Sequence, residues 1–252
     1  MKALITGAST GFGRDFAIKL SEQGYDIVAV ARSKEKLEEL KKEIKTNVEI
    51  EVMDLSQKEN AFKLHEKYQN KIDLLVNNAG FGECGRFDKT DLDIELNMID
   101  LNVTTLHILT KLFYTDFVKK DKGQILNVAS IAAFQPGPLM ATYYASKSYV
   151  YNLTMALYEE NRRNKGHVKV SVLCPGPAET GFFSRANVKF AIKPHSSDYV
   201  TEYALKKMNK NKLLIVPGLV PKLTVFSNRL VPRKLAMRVA YNITQRKLYK
   251  DK

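Results

Sequence analysis

Cysteine is scarce in this chain of 252 residues: there are two, Cys84 and Cys174, set 90 positions apart. That count does not build a disulfide scaffold and points to a reducing interior. Cys174, within an apolar run, reads as a small buried hydrophobe, and Cys84 as a loop residue. Histidine is also sparse. His65, His107, His167 and His195 show no metal-ligand spacing, so no metal is expected. No apolar stretch approaches the ~20 residues of a membrane span. Nothing resembling a signal peptide precedes the first apolar run, which makes the cytoplasm the expected compartment. Internal repeats, low-complexity tracts and long linkers are missing too.

Acidic residues are almost absent from one region. From Lys206 to Lys252, thirteen Lys or Arg face one acid, Asp251, giving +12 of the whole chain's +13 and leaving +1 for the first 205 residues. Within it, Leu223–Leu230 and Arg233–Leu248 mix apolar and basic residues at roughly helical spacing. The first reading is a solvated cap that packs its apolar side on the body or on another subunit. The second is weak peripheral contact with an anionic membrane, where each clustered Lys or Arg contributes about 1 kcal/mol. Nucleic acid is not expected as a partner, because no recognition motif or interleaved aromatic row accompanies the charge.

What the chain does have begins at its first residues. Lys2–Thr6 is a short apolar run suited to a buried parallel strand, and it leads directly into Gly7-Ala8-Ser9-Thr10-Gly11-Phe12-Gly13. Apolar residues then recur at helical spacing through Leu20. Strand, glycine turn and helix N-terminus in that order form a phosphate cradle, because free N–H groups and the helix dipole attract pyrophosphate. The Gly-x3-Gly-x-Gly spacing differs from the Gly-x-Gly-x-x-Gly of the general dinucleotide fold. A second strand, Asp26–Ala31, ends where NAD-binding folds often place an acid for the ribose hydroxyls. Here Arg32 and Ser33 follow instead. A guanidinium grips a 2′-phosphate at two points, so NADP(H) is expected over NAD(H).

Tyr143 and Lys147 stand four residues apart, with Ser130 thirteen residues upstream of the tyrosine. On a helix, positions i and i+4 share a face, which sets an ammonium beside a phenol. A free phenol titrates near pH ~10, and a neighbouring positive charge lowers that value. A phenol tuned in this way exchanges protons with a ketone or an alcohol. Tyr144 has the wrong spacing to share that face; the first reading is that it packs against the sheet, the second that it narrows the pocket. By itself, Tyr-x-x-x-Lys is common on helices where the tyrosine packs and the lysine is solvated.

Further segments fall into order. Asp54-Leu55 follows the strand Val48–Met53, and Asn77-Asn78-Ala79-Gly80 follows Ile72–Val76. Asn102 lies in a helical stretch from Leu96 to Leu112, Ser130 closes the strand Gln124–Ala129, and Pro175-Gly176 closes Val168–Cys174, with Thr180 beyond. Together these motifs resemble the classical short-chain dehydrogenase/reductase family over nearly the whole chain. Phe81–Phe87, Ala133–Pro136 and Pro217–Lys222 are similar to a bacterial subgroup of that family with broad reductase labels.

The resemblance implies an α/β, doubly wound Rossmann-type fold: a seven-stranded parallel sheet, its last strand Leu213–Val216, with helices on both faces. One domain is expected over residues 1–218, with a substrate lid at about 180–195. Residues 219–252 would form a basic amphipathic extension packed on that domain. The family's roles fall on matching positions. Gly7, Ser9, Thr10, Gly11, Phe12 and Gly13 would hold the phosphates, Asp54 and Leu55 the adenine, and Asn78, Ala79 and Gly80 its ribose side. Pro175, Gly176 and Thr180 would hold the nicotinamide end. Tyr143 would be the general acid/base, Ser130 the partner of the substrate oxygen, and Lys147 the holder of the nicotinamide ribose. Asn102 would position a water linking Lys147 to solvent.

The expected reaction is reversible reduction of a ketone or aldehyde by NADPH. Phe134, Pro136, Leu139 and Met140, with Phe182, Phe183, Phe190 and Ile192, suggest an apolar small-molecule substrate. One alternative is a narrow-substrate hydroxysteroid dehydrogenase or 3-ketoacyl reductase; another, outside enzymes, is a membrane-associated NADP(H)-binding sensor. The resemblance also implies a homodimer or homotetramer, paired through the helices that hold Asn102 and Tyr143.

Overall fold

A computed structural model of the chain describes residues 1–180 and 194–248, with side chains through Gln245 in the last helix. Six strands come first: β1 (Lys2–Thr6), β2 (Asp26–Ala31), β3 (Val48–Val52), β4 (Leu74–Asn77), β5 (Gln124–Val128) and β6 (Lys169–Leu173). Two-residue strands β7 (Ala178–Glu179) and β8 (His195–Ser196) pair only with each other, and β9 (Leu214–Ile215) completes the set. The main sheet is seven-stranded in the order β3-β2-β1-β4-β5-β6-β9, and every pairing in it is parallel. The expected doubly wound α/β fold is therefore present.

Side-chain alternation explains why both faces must be covered. Ala3, Ile5, Ile27 and Ala29 point to one side of the sheet, while Leu4, Val28 and Val30 point to the other, and all are fully buried. On the first side lie α1 (Gly11–Glu22), α2 (Lys34–Glu43) and α7 (Ser197–Met208), through Phe16, Leu37, Leu40 and Ala204. On the second lie α3 (Lys58–Tyr68) and α5 (Leu106–Lys119), through Leu64, Phe113 and Phe117. Truncating a core ring such as Phe113 to Ala would cost about 3–5 kcal/mol.

The stretch around Asn102 is not one regular helix. Helix α4 (Leu92–Ile99) passes through a π-helical segment, Asp100–Thr105, into α5. A π turn accommodates an extra residue, and such turns recur where a side chain has business outside the helix. The long α6 (Ala141–Arg163) carries Tyr143 and Lys147 on its buried side. Two further helices, α8 (Leu219–Ser227) and α9 (Arg233–Leu248), close the described chain. Val225 of α8 packs with Val150, Val216 and Ile131 of the body.

Sheet order reverses between β1 and β4. The chain leaves β1 for α1 on one face and β4 for α5 on the other, and the crevice at their C-terminal ends is where ligands bind in open α/β sheets.

Candidate active site

One cavity of about 550 Å³ runs along those strand ends, within the usual size range of ligand sites. Its wall includes Arg32 and Asp54 at one end, the glycine turn in the middle, and Ser130, Tyr143, Lys147 and Pro175 at the other. Every site residue expected from sequence lies on this wall except Gly13, Ser33 and Asn102.

At the turn the backbone makes the site. Gly7 has φ of +68°, a left-handed conformation that favours glycine. A side chain on Gly13 would press into the Gly7 carbonyl, so Gly13 acts from beneath the turn rather than on its surface. Asn78 fixes the turn from the neighbouring strand: its Nδ2 donates to the Thr6 carbonyl at 3.0 Å and the Gly7 carbonyl at 3.3 Å. Thr6 Oγ1 accepts from the N–H groups of Asn78 and Ala79, both at 3.0 Å. Helix α1 then begins at Gly11, with no acid in its first turn and no side-chain cap from Thr10. Its N-terminal N–H groups thus face the cavity with the polarity an anionic phosphate requires.

The opposite end from Ser130 holds two cations, Arg32 and Lys36. Arg32 Nη1 lies 3.9 Å from Asp54 Oδ2, a largely exposed pair worth little by itself. Asp54 Oδ1 accepts from the Ser56 N–H at 3.0 Å and the Ser56 hydroxyl at 2.8 Å, so it orders its own loop while lining the cavity. Leu55 is held by its carbonyl, which accepts from the Thr105 hydroxyl. Ser33 is drawn elsewhere. Its hydroxyl caps α2, accepting from Lys36 N–H at 3.4 Å and donating to Glu35 at 3.0 Å, which turns it off the cavity wall. Lys36 takes that place beside Arg32. No helical spacing announces this, because Arg32 precedes the Ser33 cap and does not share a helix with Lys36.

The Ser130 end is built from buried side chains. Ser130 closes β5 and caps the short 3-10 turn Ile131–Phe134, its hydroxyl accepting from Ala132 N–H at 3.1 Å. The same hydroxyl hydrogen-bonds Tyr143. Burial pushes the Tyr143 phenol well above its ordinary value; the Ser130 hydrogen bond opposes this, and Tyr144 and Cys174 add to it. Lys147 is 5% exposed, donates from Nζ to the Val128 carbonyl at 3.0 Å, and lies 5.9 Å from the Tyr143 ring centre. Burial pulls its ammonium down to about 8, against an opposing contribution from Cys174. The expectation that Lys147 lowers the phenol's pKa therefore does not describe the protein atoms alone. Desolvation dominates both groups, and the ammonium is directed at a backbone carbonyl.

Asn102 is fully buried. Its Oδ1 accepts from Phe81 N–H at 3.0 Å, and its Nδ2 donates to the Phe81 carbonyl at 2.8 Å and to Ser146 Oγ at 3.1 Å. That side chain is committed to holding the Phe81 loop, which accounts for its place behind the cavity wall. A methyl on Gly80 would stand 2.8 Å from Asn102 Oδ1 and 3.4 Å from Lys147 Nζ, which measures how closely the three converge.

On the substrate side, Met140 and Tyr144 line the cavity. For Tyr144 this is the second of the two placements expected from sequence, in the pocket rather than on the sheet. It stands edge-on to Tyr143, ring centres 6.1 Å apart, with Gly137 against its face. Phe134 turns away to pack on Tyr151, and Leu139 lines a small separate cavity. Of the expected lid, residues 181–193 lie outside the described residues, and Phe182, Phe183, Phe190 and Ile192 with them. Thr244 of α9 also reaches the cavity wall, a placement no local sequence signal announces. Among the described residues, no cluster of three or more His, Cys, Asp or Glu could hold a metal ion. No helix among them is long and apolar enough to cross a membrane.

Comparison with known proteins agrees with this geometry. Residues 1–189 match the family model for short chain dehydrogenases. The chain is 35% identical over 185 residues to an uncharacterized oxidoreductase of Staphylococcus epidermidis, covering 71% of this chain and 78% of that protein. Among solved structures, it is similar to a short-chain dehydrogenase from Sphingobium yanoikuyae in complex with NADPH, with 26% identity, a TM-score of 0.81, and 94% and 95% of the two chains covered. It also resembles a bulky-bulky ketone specific alcohol dehydrogenase from Comamonas testosteroni, with 28% identity, a TM-score of 0.76, and 86% of each chain covered. The chain belongs to the short-chain dehydrogenase/reductase family and is an oxidoreductase.

Proposed function

We propose that this protein is an NADP(H)-dependent reductase of ketones or aldehydes, able to run backwards on secondary alcohols. The observation that carries the reading is a single cleft with two cations at its adenosine end and a Ser130–Tyr143 hydroxyl pair at the other. A dinucleotide fits the chemistry of this wall. The turn exposes N–H donors where phosphates need them, and Arg32 with Lys36 match a 2′-phosphate better than bare ribose hydroxyls. Similarity to a protein solved with NADPH points the same way.

When bound, NADPH supplies the hydride; the chain's own groups handle the proton and the oxygen. Ser130 donates to the substrate carbonyl oxygen and holds it toward Tyr143. Tyr143, kept neutral by burial, gives its phenolic proton to that oxygen as negative charge develops there. The phenolate left behind is stabilised by the Lys147 ammonium, which a value of about 8 leaves mostly charged at neutral pH. Lys147 also has the reach and donors to hold the ribose beside it. Asn102 keeps Phe81, and so the floor of the cleft, in register with Lys147. In the oxidative direction the same phenolate accepts the alcohol proton.

Met140, Tyr144, Phe81 and Leu101 make the reacting end largely apolar. This favours a bulky, weakly polar ketone, in line with the specificity named for the Comamonas enzyme. The test is the fall in reduced-nicotinamide absorbance across a panel of aliphatic, aromatic and steroid ketones and aldehydes. Turnover with NADPH exceeding that with NADH is expected for at least one bulky ketone. Silence across the panel, with NADPH bound, would favour a sensor and contradict the reading.

A further inference from the structure

Beyond the chemistry of the cleft, the last two helices present an unusual surface. In α8, Leu219, Leu223 and Phe226 recur at i, i+4 and i+7, and Leu230 in the following turn continues the line. All four face solvent, Leu219 at 77% and Leu230 at 72% exposure. The opposite side of α8, Pro221 and Val225, is buried against the body. Helix α9 repeats the plan. Leu235, Val239 and Ile243 are exposed at i, i+4 and i+8, while Ala240 and Thr244 are buried, Thr244 on the cleft wall. Each helix thus uses its inner face for the body and still keeps a second apolar stripe outside. A solvated cap has no need of that second stripe.

Charge identifies what the stripes meet. Exposed cations flank them, Lys222 and Arg229 on or beside α8, and Arg233, Lys234 and Arg238 on α9. From Lys206 to Lys250 the sequence contains no acid at all. A second copy docking through the same faces would oppose one basic surface to another, and like charges repel. An RNA or DNA surface would satisfy the charge and leave Leu223, Phe226 and Val239 in water. A surface that is anionic at its face and apolar just beneath satisfies both features, and an amphipathic helix with Lys/Arg beside Leu/Phe is the form that lies in it.

We propose that the outer faces of α8 and α9 form a peripheral docking surface for an anionic phospholipid bilayer, with α9 linking that surface to the wall of the catalytic cleft. The docking stands on exposed residues and charge, and does not depend on which carbonyl compound is reduced.

The test is co-sedimentation of the full chain with phosphatidylcholine vesicles, with and without about one-third phosphatidylglycerol. Pelleting is expected with the anionic vesicles at low salt, at least about tenfold weaker with the neutral ones, and largely reversed at about 1 M salt. Leu223→Glu with Phe226→Glu should abolish it without changing ketone reduction. The exposed pair Lys234→Glu with Arg238→Glu should weaken it about tenfold or more, and serves if the first variant does not fold. Failure to pellet with anionic vesicles at low salt would overturn the proposal. So would unchanged pelleting in both folded variants, or a concentration-dependent dimer that dissociates in the Leu223/Phe226 variant while vesicles are ignored.

Discussion

The middle of the cleft and its Ser130 end are built from different materials. The middle, proposed to hold the phosphates, is backbone: a turn at Gly7, Gly11 and Gly13, held by Asn78 and Thr6, offering N–H groups whose polarity no pH change alters. The Ser130 end is side chain: Ser130, Tyr143, Lys147 and Cys174, buried together, with three of the four pushed toward their neutral forms. A backbone site costs the fold little, because the same hydrogen bonds that shape it also stabilise it. A cluster of buried titratable groups opposes folding until a ligand compensates for lost water. Changes in the turn are therefore expected to act on binding, and changes at the Ser130 end on pH dependence.

Disrupting the glycine turn should give the largest loss of nucleotide affinity. Gly13→Val puts a side chain into the Gly7 carbonyl, and dinucleotide affinity should fall by more than about a hundredfold, measured by nucleotide fluorescence. Near-normal affinity in a folded variant would mean that the turn is not the phosphate site. At the Ser130 end, Ser130→Ala should lower kcat by about a hundredfold while leaving nucleotide affinity unchanged, a split that separates the two regions.

Lys147 allows the comparison to be made in stability. Its folded value of about 8 lies below the ordinary 10.5, so between those values the unfolded chain holds the proton that the folded one has lost. Stability from this group accordingly rises with pH across that window and is absent below it. Without nucleotide, Lys147→Met should be more stable than wild type by roughly 3 kcal/mol at pH 7, and the gap should close toward pH 10. Urea denaturation at the two pH values measures this; a pH-independent gap would show that the ammonium is not penalised by burial. The smallest effect belongs to the adenosine end. Arg32→Ala with Lys36→Ala should weaken NADPH about tenfold and leave NADH nearly unchanged. Equal losses for both nucleotides would remove the 2′-phosphate assignment.

What could be read from sequence follows the same division. Backbone sites are local: the apolar run, the glycines and the helix that follows are contiguous, so the turn and the alternation of strands and helices were legible as spacing. Tyr143, Lys147 and Ser130 were legible because a helical period and a strand end bring them together. Lys36 was missed because Ser33 looked like the polar group at the strand end, and its hydroxyl is taken by the helix cap instead. Tyr144 stayed between two placements because only the packed α6, with Gly137 opposite, decides which way its ring turns. Thr244 could not be anticipated, since a residue 101 positions from Tyr143 meets the cleft through the path of the whole chain. The π-helical segment at Asn102 has a similar origin, in a side chain bonded to Phe81 across the fold.

The central claim is that the buried phenol of Tyr143 delivers the proton, and Tyr143→Phe tests it with little change in shape. Steady-state NADPH oxidation on the best ketone substrate should fall by about a thousandfold, with NADPH affinity unaltered. A variant that keeps a tenth or more of the wild-type rate would contradict the account.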